Sequence, residues 1–159
     1  MSGGRRWVVA GMCLYVAAAL QPLTLRYALC GLRPDFLLIV LAVFTHFSSR
    51  RGGLVLGFLT GVVAGALPGA NMAHYVISRS LAGFCGAWAR AFGFEEGHAT
   101  AAASAFAITL IAQLVLMFLA PPARIGPFLG ATIGSAVLNG VLAIPLYALV
   151  SRVLGPIER

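Results

Sequence analysis

The chain has 159 residues, 60% of them hydrophobic and 9% charged, with a formal net charge of +7 and a mean hydropathy of +0.96. So apolar a composition in so short a chain excludes a water-soluble domain and leaves room for one polytopic membrane domain over 1–159. All eleven basic residues are arginines, set singly or in pairs between apolar runs, which excludes a nucleic-acid interface built on one basic face.

Six spans are expected, at about 7–25, 34–47, 53–67, 71–89, 99–119 and 127–153. The first begins near Trp7 and exits at Gln21-Pro22. Its Arg5-Arg6 start and Ala17-Ala18-Ala19 stretch mimic a signal peptide, but the apolar run leads straight into a second span, so retention is expected. The second opens on Arg33-Pro34-Asp35, where proline suits a first helical turn and the carboxylate suits the positive end of the helix dipole. A charged turn, Ser48-Ser49-Arg50-Arg51-Gly52, leads to the third span, which Pro68-Gly69 ends. Asn71 is expected to cap the fourth. A polar loop from Arg90 to His98 carries Glu95 and Glu96, and Pro121-Pro122 closes the fifth span. The second and third spans are short against the ~20 residues a bilayer asks for. With both termini cytoplasmic, Arg5, Arg6, Arg50, Arg51, Arg90, Arg152 and Arg159 lie inside and Arg26, Arg33 and Arg124 outside, the asymmetry expected of a membrane protein. Trp7, Trp88, Tyr27 and Tyr147 fall near span ends and read as interfacial anchors.

Glycine recurs at every fourth position in the third span: Gly53, Gly57, Gly61 and Gly65, with Gly69 beyond the turn. Lipid provides no hydrophobic drive between helices, so membrane helices associate along small residues four apart. Four residues turn a helix by about 400°, so the strip winds by about 40° per glycine. Two neighbours are therefore expected rather than one. The last span repeats the device at Gly126, Gly130 and Gly134, so these seven glycines are the expected packing or partner interface.

Arg79 is the one charge inside a span, about 12 Å down the helix from Asn71. An intramembrane charge is costly and marks a functional candidate, against the alternative of an arginine bonded to neighbouring carbonyls. Asn71, His74, Ser78, Arg79 and Asn139 form the candidate polar set. Asn139 is placed to hydrogen-bond between helices, and Pro145 removes the backbone bond to Val141. The acidic residues Asp35, Glu95, Glu96 and Glu158 all read as lying outside the apolar spans, and His46, His74 and His98 are scattered over helix ends. No catalytic motif is present, so no enzyme is expected. Cys13, Cys30 and Cys85 have no metal-like spacing, and neither a metal, a cofactor nor a disulfide framework is expected.

Three blocks together resemble the rod shape-determining protein MreD family. They are Arg6-Trp7-Val8-Val9 with Ala19-Leu20-Gln21-Pro22; Leu32-Arg33-Pro34-Asp35-Phe36-Leu37-Leu38 with Gly57-Phe58-Leu59-Thr60-Gly61 and Pro68-Gly69; and Asn139-Gly140-Val141-Leu142 with Pro145 and Arg152. The resemblance covers nearly the whole chain. It departs from the family at Gly65, where an aspartate is common, and at Arg79, where an apolar residue is usual. It implies an all-α six-span fold similar to the substrate-binding subunits of energy-coupling-factor transporters. It also implies a non-enzymatic scaffold of the wall-elongation machinery in the bacterial inner membrane. The direct partner would be MreC, with MreB, RodA and the elongation-specific penicillin-binding protein in the wider complex. The competing expectation is a transporter-type subunit that binds a small molecule through Asp35, Asn71, His74, Ser78 and Arg79.

Overall fold

The structure is a computed structural model that describes residues 3–26, 32–66, 71–89 and 97–155. Tyr27, Cys30, the Pro68-Gly69 turn, Arg90, Glu95, Glu96, Glu158 and Arg159 lie outside the described residues. The chain is all-helical: α1 (Gly3–Leu20), α2 (Leu23–Arg26), α3 (Phe36–Thr45), α4 (Arg50–Ala66), α5 (Met72–Ala89), α6 (His98–Leu119) and α7 (Ile125–Leu154). Two of these, α6 and α7, are long and apolar enough to cross a membrane by length and composition.

The expected first span is divided. Pro22 has no N–H to continue α1, and the chain turns there, with the Thr24 hydroxyl donating to Gln21 O at 2.7 Å before the single turn of α2. The second span is shorter than expected, because Asp35 caps it instead of entering it. The Asp35 carboxylate accepts from Leu38 N at 3.1 Å, and Pro34 stands before the cap. The charged turn before α4 is also shorter than expected. Ser49 Oγ accepts from Gly52 N at 3.2 Å, so Arg50 and Arg51 already belong to the first turn of α4. Asn71 caps α5 as expected, accepting from Ala73 N at 3.1 Å.

Helix α3 is the axis of the bundle. Its ten residues measure about 15 Å, half the thickness of a bilayer core. Every position from Leu37 to Thr45 is buried, and α3 touches α1, α4, α5, α6 and α7. Its sequence is apolar on all sides, as a helix enclosed on all sides must be. Around it, α4 and α5 run antiparallel as one closely packed pair, and α6 and α7 as a second.

The α4–α5 seam explains the glycine spacing. A Cβ on Gly53 would lie 2.5 Å from Gly83 O, one on Gly61 2.6 Å from Val76 Cα, and one on Gly65 2.8 Å from Met72 Cα. Gly57 is pressed against the backbone of Arg79 and Ser80 in the same way. All four glycines therefore serve one neighbour, where the winding of the strip suggested two. The facing positions on α5, from Met72 through Val76, Arg79 and Gly83 to Ala87, recur at three and four residues, so α5 follows the strip along its length. The second glycine set divides. Gly134 meets the side chain of Leu32, whereas a Cβ on Gly126 or Gly130 would meet nothing within 4 Å among the described residues.

Tyr147 is not an interfacial anchor. It is buried on the core face of α7 and packs its ring against His46, Phe47 and His98, with centroids 5.7–5.8 Å apart. Trp7 and Trp88 are exposed. At this end of the bundle His46 Nε2 shares a 2.6 Å hydrogen bond with Ser104 Oγ, and Arg6 donates to Phe47 O at 3.3 Å.

Candidate functional site

The opposite end of the bundle gathers the polar side chains. There α1 ends, α3 begins, α4 ends, α5 begins, α6 ends and α7 begins. Asp35 is the centre. As the N-cap of α3 it already accepts from Leu38 N through Oδ1. Arg79, one face round α5, reaches it with both guanidinium nitrogens: Nη1 donates to Oδ1 at 3.3 Å and Nη2 donates to Oδ2. The side chains are 5% and 13% exposed for Arg79 and Asp35. This planar fork is the geometry in which an arginine–carboxylate pair is strongest. The Arg79 Cζ also lies 5.9 Å from the centroid of the Tyr75 ring, one turn back on α5.

The backbone of Asp35 is tied to α7. Its N–H donates to Asn139 Oδ1 at 2.9 Å, and Asn139 Nδ2 donates to Thr109 Oγ1 at 3.0 Å. The Thr109 hydroxyl in turn donates to Ala105 O at 2.7 Å. The next N–H of α3, that of Phe36, donates to Gln21 Oε1 at 3.0 Å. Three surrounding elements thus bond the start of α3, the exit of α1, α5 and α7, and α6 braces the last of these through Thr109. A buried helix N-terminus leaves backbone donors that need acceptors, and here Gln21, Asp35 and Asn139 supply them. Asn139→Leu should cost about 1–3 kcal/mol, because it strands Asp35 N and leaves the Thr109 hydroxyl one bond short. Chemical unfolding in detergent measures this directly, and a change below about 0.5 kcal/mol would remove Asn139 from the network.

The five residues of the candidate polar set do not form one cavity. Arg79 and Asn139 converge on Asp35. Ser78 leaves in another direction, its hydroxyl donating to Ala112 O of α6 at 2.6 Å. Asn71 is an exposed cap and His74 is half-buried near it. Asp35 is itself corrected from a residue at the edge of an apolar span to an interior one. Of the motif at the helix start, Pro34 is buried beside it and Arg33 is exposed.

Two cavities open on either side of this network. One, of about 380 Å³, lies between Gln21, Tyr75, Arg79 and Leu116. The other, of about 460 Å³, lies between Arg33, Asp35, Thr109, Gln113, Thr132 and Ser135. Gln21, Thr24, Asp35, Gln113 and Phe128 line both. Away from them, an apolar groove of about 500 Å³ runs between α1, α3 and α7, past Cys13, Val16, Ile39 and Leu146. Comparisons of the chain with family models, curated proteins and solved structures return no match.

Gln21, Thr109, Gln113 and Thr132 were not singled out by the sequence. Gln113 had a usable signal, since it is the one amide in the apolar run of α6 and stands there as Asn139 stands in α7. Thr109 and Thr132 had none, because threonine is common in apolar helices and ordinarily bonds a carbonyl one turn back there.

Proposed function

We propose that the chain is a non-enzymatic, six-span scaffold of the MreD type in the bacterial inner membrane, and that the membrane helix of MreC docks along the outer face of α7. The observation that carries this is the division of the glycines. The α4 strip is consumed by α5, while Gly126 and Gly130 stand open on a face continued by Ile133, Val137 and Val141, which are 54%, 53% and 58% exposed. These positions recur at three and four residues and so share one side of the helix. A lipid-facing surface has no need for exposed glycine, whereas a helix that packs by close approach uses it.

Crossing of the membrane by all the long helices is supported by their outward faces. Val8, Met12 and Tyr15 of α1, Leu54 and Phe58 of α4, Ile77 and Phe84 of α5 and Phe118 of α6 are all exposed. In water this would be an apolar belt far beyond what a monomer tolerates. In lipid it is the ordinary exterior, and the short α3 is spared because its neighbours enclose it. MreB, RodA and the elongation-specific penicillin-binding protein would join through the wider complex.

The test is co-purification with MreC. Gly130→Leu should fold normally, since a Cβ there meets nothing, and should reduce recovered MreC about tenfold. A photo-reactive residue at Val137 should cross-link to MreC, and one at Val16, beside the apolar groove, should not. Full recovery with Gly130→Leu together with cross-linking at Val16 would move the docking face to the groove.

A further inference from the structure

The walls of the 460 Å³ cleft contain polar groups that the fold does not use. Thr132 is only 5% exposed and lines the cleft, and its hydroxyl makes no hydrogen bond among the described residues. A threonine hydroxyl buried in a helix ordinarily bonds a carbonyl one turn back, as Thr109 and Thr60 do here. Gln113 and Ser135, both half-buried, also lack hydrogen-bond partners among the described residues, and Arg33 at the mouth forms no ion pair among them, the carboxylate of Asp35 being held by Arg79.

The acceptors nearest Asp35 are engaged: the carboxylate on Leu38 N and Arg79, Gln21 Oε1 on Phe36 N, and Thr109 Oγ1 on Asn139. Arg33 only donates, and Gln113, Thr132 and Ser135 can each donate. With its oxygen so held, the Gln21 amide nitrogen is turned elsewhere and is a further donor. Asp35 is neutralised by Arg79, and Arg33 adds one uncompensated positive charge. Asp35 is the one acidic side chain among the described residues. A donor-rich pocket with a net positive charge suits an anion. Its volume lies within the range of small-molecule sites, larger than an inorganic ion needs.

We propose that this cleft binds an organic phosphate of the glycerol phosphate type. Arg33 holds the phosphate at the mouth, and Gln113, Thr132 and Ser135 hydrogen-bond the group inside. The inference does not rest on the docking face of α7. The same chemistry is carried by a phosphatidylglycerol headgroup and by free glycerol 3-phosphate, and the two arms of the experiment separate these sources.

The experiment uses the full chain in nanodiscs. In one arm, native mass spectrometry counts phosphatidylglycerol retained from mixed phosphatidylglycerol–phosphatidylcholine discs. In the other, titration calorimetry follows soluble glycerol 3-phosphate with phosphatidylcholine discs. Saturable binding in either arm is expected, with neutral glycerol inert. Arg33→Gln should weaken it at least about tenfold, and Thr132→Val, which keeps the shape and removes the hydroxyl, several-fold. Both variants should retain the melting temperature of the parent, since neither group supports another residue. Gly130→Leu should bind as the parent does, which keeps this result separate from MreC docking. No binding in either arm, or binding unchanged in both Arg33→Gln and Thr132→Val, would overturn the proposal.

Discussion

Arg79→Leu is expected to destabilise the fold by about 3–5 kcal/mol, because it leaves the Asp35 carboxylate buried without its cation. Asp35→Asn should be comparably costly for the reciprocal reason. Asparagine caps a helix nearly as well as aspartate, so the loss would report the ion pair and not the cap. The double variant Asp35→Asn with Arg79→Leu should recover most of the loss, since it removes both charges and keeps the cap. Arg79→Lys should fall between, because a point charge cannot occupy both carboxylate oxygens. Chemical unfolding in detergent of the four members of the cycle measures the coupling. Independent sites add within about 0.3–0.5 kcal/mol. Additivity within that margin would mean that the pair does not hold α3 to α5. In that case the network would reduce to Gln21, Asn139 and the backbone of α3.

The pair shows where sequence reading succeeds and where it stops. Arg79 was visible because a charge within an apolar run is costly, and Asp35 because Pro34-Asp35 punctuates a helix start. The competing expectation placed both in one ligand site, but their pairing with each other was not visible, because Asp35 lies at the edge of its run and an edge ordinarily means water. It is interior only because α3 is ten residues long and enclosed, so that its first turn starts below the rim of its neighbours. That enclosure is a property of the other helices and leaves no mark near Asp35. Tyr147 failed in the same way. Its position near a helix end suggested an interface, but its side of α7, shared with Ala143 and Val150, faces the core.

The glycine spacing was legible, and so was close packing as its cause. The strip has one neighbour and not two, because its winding excludes a straight partner and not one that winds with it. Helix α5 carries its own small residues, Ser80, Gly83 and Ala87, at positions that face the strip, so both surfaces drift together. In the last span the same spacing predicts a packing or partner interface at three glycines, and among the described residues only Gly134 of the three meets a neighbour. A spacing of four prescribes how closely a helix can be approached. It does not prescribe by what, and that difference separates α4 from α7.

The same substitution should therefore have opposite signs on the two helices. Gly130→Ala is expected to stabilise the protein by about 0.4–1 kcal/mol, since alanine restricts the unfolded chain and prefers the helix, and its methyl group meets nothing. Gly57→Ala gains the same intrinsic term but drives a methyl group into the backbone of α5, against Arg79 and 2.7 Å from Ser80 Cα. Backbone cannot swing aside as a side chain can, so α5 must retreat. Overpacking of this kind costs about 1–3 kcal/mol, which outweighs the propensity gain. The retreat also carries Arg79 away from Asp35, because Gly57 presses on the residue that bears the guanidinium. Gly57→Leu should consequently lose more than overpacking alone, and part of its loss should vanish in the Asp35→Asn, Arg79→Leu background, where there is no ion pair left to disturb. Thermal unfolding of Gly57→Ala, Gly130→Ala and Gly57→Leu in both backgrounds makes the comparison. A Gly57→Ala shift of the same sign and size as that of Gly130→Ala would show that α4 and α5 are not in backbone contact at this level. A Gly57→Leu loss identical in both backgrounds would show that the glycine seam and the ion pair act separately.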